Sequence, residues 1–312
     1  MKNFIQIVFL LVTITMVSQE KKEIVTQEIE VNSLLKGTLF LPEKISKKTK
    51  LVILIAGSGP TNRNGNSTIG GVNNSLKFLA EGLTQNGIAV FSYDKRGLNK
   101  LDGKTIDEKS VVFEDFINDA KDVIAYFKVQ KKYAKIIIAG HSEGSLIGMV
   151  AANGNADGYV SIAGPGRPID EILSEQIAKN SPAMKEAVDK DLAILKEGKT
   201  FENKNPMLAS LFRESIQPYM ISWIKYNPIS EIKKLHIPIL IINGTKDIQV
   251  PTSDAELLHN ATPKSELKII ENMNHIFKEI LNDDDNIKSY SNSKLPVIPE
   301  LITCIAKFTN SI

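Results

Sequence analysis

The chain has 312 residues, 42% hydrophobic and 24% charged, the balance of an ordinary soluble globular protein with a well-filled core. Lysine and arginine number 38 against 36 acidic residues, a net +2, which gives no electrostatic basis for nucleic acid or an anionic membrane as partner. Cys304 is the single cysteine, so no intramolecular disulfide forms, and a small-molecule site is what remains to be found.

Lys2 precedes an apolar stretch, Phe4 to Val17, broken only by Gln6, Thr13 and Thr15 and followed by polar Ser18, Gln19 and Glu20. A basic start, an apolar run and a small residue form the plan of a secretory signal. The run is shorter than the roughly 20 residues that cross a bilayer as a helix. Residues 1–19 therefore read as a signal peptide with no stable membrane anchor, and the expected destination is the periplasm or the medium.

Ile24 to Val31 and Leu34 to Leu41 read as an opening antiparallel pair, closed by Pro42. From Leu51 onward, short apolar runs alternate with amphipathic stretches. The runs are Leu51 to Ala56, Ile88 to Tyr93, Lys135 to Gly140, Gly158 to Ala163, Ile237 to Asn243 and Leu267 to Ile270. Continuous apolar strands separated by helices predict a mostly parallel sheet covered on both faces, an α/β class.

Residues 167–226 are too many for a simple crossover. Ser181 and Pro182 start a helix, Met184, Val188, Leu192 and Leu195 share one face, and Gly198 suits its end. Asn205 and Pro206 start another, and Pro218 is expected to bend or end the last helix. The segment reads as a helical cap inserted into a core made of residues 20–166 and 227–312. The acidic run Asn282 to Asn286 lacks the ligand alternation, central glycine and final glutamate of a calcium loop, so it reads as a solvated loop. No metal or organic cofactor is implied.

The chemistry centres on Gly140, His141, Ser142, Glu143 and Gly144, a G-x-S-x-G between a strand and the helical stretch Leu146 to Ala152. That context places the serine on a sharp strand-to-helix turn, with the helix start aiming backbone N–H groups at the reacting centre. A serine needs a base, and the base needs an orienting acid. Of the four histidines, His141 lies inside the turn, His236 abuts a strand and His259 lies in a helical stretch. His275 alone lies in a loop after a late strand. The loop after the strand Ile237 to Ile242 offers Asp247, at a carboxyl-terminal strand end where site residues collect. Ser142, Asp247 and His275 are thus the expected nucleophile, orienting acid and base, with Asp247 as a helix cap the competing assignment. The backbone N–H groups of Ser58, in the loop Ala56 to Pro60, and of Glu143 are the expected oxyanion donors. That first loop lacks the ending of a P-loop, and Asn62 stands where a dinucleotide fingerprint needs its third glycine.

The order Ser, Asp, His is that of the α/β-hydrolases. The chain resembles that superfamily along nearly its whole mature length, and within it the bacterial esterases and serine-aminopeptidase-like hydrolases. The resemblance rests on Gly57, Ser58, Gly59 and Pro60 with Arg63, Gly65 and Asn66, on Tyr93, Asp94, Lys95, Arg96 and Gly97, and on the Gly-His-Ser-Glu-Gly turn. Ala56 replaces the histidine common before this first glycine, and Leu98 and Asn99 replace the usual Val-Gly, changes that bear on the acyl pocket rather than on the catalytic groups. The resemblance implies a serine hydrolase acting on a small or medium acyl ester through an acyl-enzyme. The same groups serve a peptidase or a thioesterase, for which Glu175, Glu186, Glu202 and Glu214 offer carboxylates to a peptide's amino end. A binding protein that had lost its chemistry is the reading from another class, and such proteins usually lack a member of the triad.

Overall fold

The computed structural model describes residues 23–68, 70–98 and 105–312. The expected signal segment 1–19 and Asn99 lie outside them. Among the described residues the sheet has eight strands in the order β1-β2-β4-β3-β5-β6-β7-β8. These are β1 (Ile24–Glu30), β2 (Lys36–Pro42), β3 (Leu51–Ile55), β4 (Ala89–Tyr93), β5 (Ile136–His141), β6 (Gly158–Ile162), β7 (Ile239–Gly244) and β8 (Glu266–Ile270). β2 runs antiparallel to β1 and β4, and from β4 to β8 every pairing is parallel. The expected mostly parallel sheet is therefore present.

The strand ends differ from the sequence reading for local reasons. The Asn32 side chain accepts from the N–H groups of Leu34 and Leu35 at 2.9 and 3.0 Å, closing a turn that delays β2 to Lys36. Pro238 has no N–H for a ladder, so β7 begins at Ile239.

Successive residues of a strand face opposite sides, and β3 divides accordingly. Leu51, Ile53 and Ile55 join one core cluster, Val52 and Leu54 the other. The second cluster is closed by α1 (Ser75–Gln85) and α11 (Pro299–Ser311), through Leu76, Leu79, Leu83, Leu301 and Ile305. The first takes α2 (Phe113–Gln130), α3 (Glu143–Ala152) and α9 (Thr252–Ala261).

Between β6 and β7 the chain forms α4 (Ile169–Asn180), α5 (Lys185–Lys196), α6 (Ala209–Phe212), α7 (Gln217–Ile224) and α8 (Pro228–Ile232). Val188, Leu192 and Leu195 are the buried residues of α5. Pro218 does not bend or end a helix: it occupies the first turn of α7, where the N–H it lacks has no intrahelical acceptor to lose. α7 packs on α2, with Trp223 stacked on Phe113 at 5.4 Å between ring centroids. A last short helix, α10 (Asn286–Ser289), follows a single 3₁₀ turn at Asp283–Asp285. In that acidic run Lys246 pairs with Asp283 at 2.8 Å.

Candidate active site

Ser142 joins β5 directly to α3 with φ 54° and ψ −122°, a backbone conformation that a non-glycine residue keeps only when its surroundings over-determine it. The surroundings do so at both flanking glycines. A Cβ on Gly140 would lie 2.1 Å from the Gly144 carbonyl oxygen, and one on Gly144 would lie 2.4 Å from that of Ile55. Only hydrogen fits where the turn presses α3 against β3. Under the turn, the Ser145 hydroxyl meets those of Tyr159 and Ser161 at 2.7 and 2.8 Å, so the first turn of α3 rests on a buried polar cluster satisfied within itself.

His275 follows β8 in a turn fixed from several sides. The N–H of Phe277 donates to the Asn274 carbonyl at 3.0 Å, and that of Lys278 to the Asn274 side chain at 2.9 Å. Phe277 has φ 70°, another strained position held by packing. The Asn274 amide donates in turn to Asn286 and Ser289 at 3.0 and 2.8 Å, anchoring the histidine turn to α10.

Asp247 lies after β7, and its side chain is fully buried. One oxygen accepts from the N–H groups of Gln249 and Val250 at 2.8 and 2.9 Å. The other meets His275 Nδ1 at 2.8 Å. A carboxylate on Nδ1 fixes the tautomer with its proton there and leaves Nε2 as the basic nitrogen. The competing assignment of Asp247 as a helix cap is not met: Pro251 holds the N-cap position of α9 with no side-chain cap bond, and Asp247 closes the loop ahead of it with one oxygen while the second is spent on His275.

His141 does more than fill the turn. Its Nε2 donates to the backbone carbonyl of His275 at 2.9 Å, and its ring sits 4.8 Å from that of His275 and 4.7 Å from that of Phe277. Burial pushes its pKa well below the ordinary histidine range, and neighbouring His275 adds to that. His141 is therefore a neutral donor tying the serine turn to the histidine turn. Of the remaining histidines, His236 is exposed and His259 meets Ser265 at 2.9 Å, so neither joins the site.

Ser142 and His275 line one cavity of about 140 Å³ with Gly57, Ser58, Thr61, Gln249 and Tyr290. Among the described residues no hydrogen bond joins their side chains, and the cavity is what the two share. Gly57 and Ser58 leave β3 beside Ser142; a Cβ on Gly57 would lie 3.2 Å from Ser142 Cβ. Among the described residues, no acceptor meets the backbone N–H of Ser58 or of Glu143, and both belong to segments that border the serine. Arg63 secures the far end of this loop: its N–H, Nε and Nη2 donate to Asp94 at 2.9, 3.1 and 2.7 Å.

One group had no assigned role in the sequence reading. Lys95, in the turn after β4, is buried and donates to the Gly57 carbonyl at 3.0 Å and to Glu143 Oε1 at 2.8 Å. The Tyr93-Asp94-Lys95-Arg96-Gly97 run marked the turn, but nothing in its letters brings Lys95 against two other loops.

The strand order, the strained serine turn and the buried His275–Asp247 pair define an α/β-hydrolase. The chain belongs to the BD-FAE family, whose model matches residues 38–262. It is 31% identical over 265 residues to esterase EstD of Thermotoga maritima, covering 80% of this chain but only 59% of that protein. Among solved structures it is similar to Est1E from Butyrivibrio proteoclasticus, with a TM-score of 0.57 at 16% identity over 92% of this chain and 99% of that one. A Pyrococcus furiosus esterase matches with a TM-score of 0.56 at 16% identity over 96% of each chain.

Proposed function

We propose that the protein is a serine carboxylesterase in which Ser142, His275 and Asp247 form the catalytic triad. The observation that carries this is the strained Ser142 turn opening into the same cavity as His275, whose Nδ1 is held by the buried Asp247 carboxylate. Kinship with EstD supports the ester as substrate.

In this reading Ser142 Oγ attacks the acyl carbonyl while His275 Nε2 takes its proton. The oxyanion is held by the N–H groups of Ser58 and Glu143, the latter at the positive end of α3. His275 then protonates the leaving alkoxide, and water repeats the sequence on the acyl-serine. The small cavity supports a short acyl group. Residues 167–226 act as the cap that selects the leaving group. Glu175, Glu186, Glu202 and Glu214 are all exposed, and Glu175 is engaged by Arg167, so none offers a buried carboxylate for a peptide's amino end.

The test is hydrolysis of p-nitrophenyl acetate, butyrate and octanoate beside an aminoacyl arylamide, by the protein and by Ser142→Ala. Ester turnover that prefers acetate or butyrate and disappears in the variant is the expected result. Turnover of the arylamide alone would replace the esterase reading with a peptidase one.

A further inference from the structure

Lys95 is a buried cation whose contacts border the reacting centre, and the acyl transfer proposed for Ser142 and His275 does not use it. It is 3% exposed and its ammonium reaches two separate segments of chain. One contact is to the carbonyl of Gly57 at 3.0 Å, the other to the carboxylate of Glu143 at 2.8 Å. The ring of Phe116 covers it at 4.7 Å from the centroid. Tyr219 lies against Glu143, which adds to burial in raising the tyrosine's pKa well above the ordinary range, and its ring packs on Phe116 at 5.6 Å. The pair is therefore walled off from water by aromatic side chains.

The two segments are those that carry the N–H groups of the proposed oxyanion hole. The carbonyl of Gly57 and the N–H of Ser58 belong to one planar trans peptide unit and point in opposite directions. A donor fixed on that carbonyl fixes the direction of the N–H as well. It also draws electron density toward the oxygen, leaving the N–H a stronger donor. The Glu143 carboxylate hangs from the residue whose own backbone N–H is the second donor. One ammonium thus contacts the peptide unit of the first donor and the side chain of the residue that carries the second, in a dry setting where its field is weakly screened.

We propose that Lys95 is a positioning residue of the oxyanion hole, holding the Ser58 and Glu143 N–H groups at one spacing and strengthening the first. This rests on the esterase reading given above. It implies that Lys95 contributes chiefly when negative charge develops on the acyl oxygen, and little to binding of the neutral ester.

The experiment compares the full-length protein with Lys95→Met and with Lys95→Met/Glu143→Met. The double variant removes the buried pair without leaving a lone charge, while the backbone N–H at 143 stays. Rates are divided by the fraction of chains titrated with a fluorophosphonate, and the readouts are kcat, KM and Ki for a trifluoromethyl ketone, which adds the serine as an oxyanionic hemiketal. Removing a direct oxyanion donor costs about 10²–10³-fold in kcat, so an indirect one is expected to cost about 10–100-fold in both variants. KM should stay within about threefold, and Ki should weaken in proportion to kcat/KM. A double variant with wild-type kcat overturns the proposal, because the lysine then serves only to neutralise Glu143. Methionine variants that yield no titratable enzyme overturn it too, assigning the ammonium to the fold. If the wild-type protein neither turns over the ester nor is labelled at Ser142, the esterase reading itself falls and the proposal with it; a wild type that does both, beside indifferent variants, removes Lys95 alone.

Discussion

Between Ile136 and Ala152 every residue but Ser142 and Val150 is buried, and the turn at Ser142 is pinned by backbone contacts that leave no room for a Cβ at Gly140 or Gly144. The helices between β6 and β7 are held differently: α5 buries Val188, Leu192 and Leu195 along one face and turns its charges outward. The first region is specified position by position, because a side chain there meets backbone on several sides. The second is specified by an apolar stripe, which many sequences satisfy. Where the two regions touch, through Tyr219 of α7 and Glu143 of α3, the loosely specified helices back onto the tightly specified turn.

The largest expected effect sharpens that contrast. Ser142→Ala should lower kcat/KM for a p-nitrophenyl ester by at least about 10³-fold while leaving the thermal midpoint close to that of the wild type. Asp247→Asn should follow with a loss of about 10³-fold in kcat, since the amide presents the wrong hydrogen-bonding partner to Nδ1 and disfavours the tautomer the base needs. The pH–rate profile of the residual activity, compared with the wild type, checks that the loss belongs to the base. Gly144→Ala should destabilise the fold by about 3 kcal/mol, read from the urea midpoint, because its methyl group meets the Ile55 and Ala56 carbonyl oxygens rather than a movable side chain.

A smaller effect comes from the turn that follows His275. Lys278 is buried with its ammonium on the carbonyls of Asn73 and Leu295 at 2.9 and 2.5 Å and with the Phe78 ring at 4.8 Å. Burial pushes its pKa down from 10.5 to about 8. Between these values the unfolded chain holds a proton that the folded one has released, so this group makes stability rise with pH across that window, and below it the buried charge is a constant penalty. The stability of the wild type relative to Lys278→Met, from urea unfolding at pH 7 to 10, should therefore grow in the wild type's favour above about pH 8. A difference that stays flat would mean the ammonium keeps its ordinary pKa despite burial.

The smallest expected effect tests the other side of the contrast. Glu186→Gln, on the exposed face of α5, should change stability by less than about 0.5 kcal/mol and leave ester turnover unchanged. A large loss of turnover would break the comparison, showing that the helical segment is also specified residue by residue.

The sheet and the serine turn were legible in the sequence because their signals are local. Strands buried on both faces leave continuous apolar runs, as at Leu51 to Ile55, and a strained strand-to-helix turn leaves glycines on both sides of its serine. His275 and Asp247 were legible as candidates because each follows a late strand, and it is the ends of strands, brought side by side in a parallel sheet, that meet. Pro218 was misread because a proline ends one helix and opens another with the same letter, and only the packing of α7 on α2 decides between them. Lys95, His141 and Lys278 were illegible in their roles, since each acts on a carbonyl belonging to another part of the chain.

By itself the sequence determined the α/β class and the chemical types available at the strand ends, because burial and backbone strain leave their mark on neighbouring residues. The tertiary structure alone decided that Asp247 divides its two oxygens between its own loop and His275, that His141 ties the serine turn to the histidine turn, and that Lys95 spans Gly57 and Glu143. These contacts join residues distant in the chain, and a hydrogen bond depends on distances and directions that no local pattern of residues encodes.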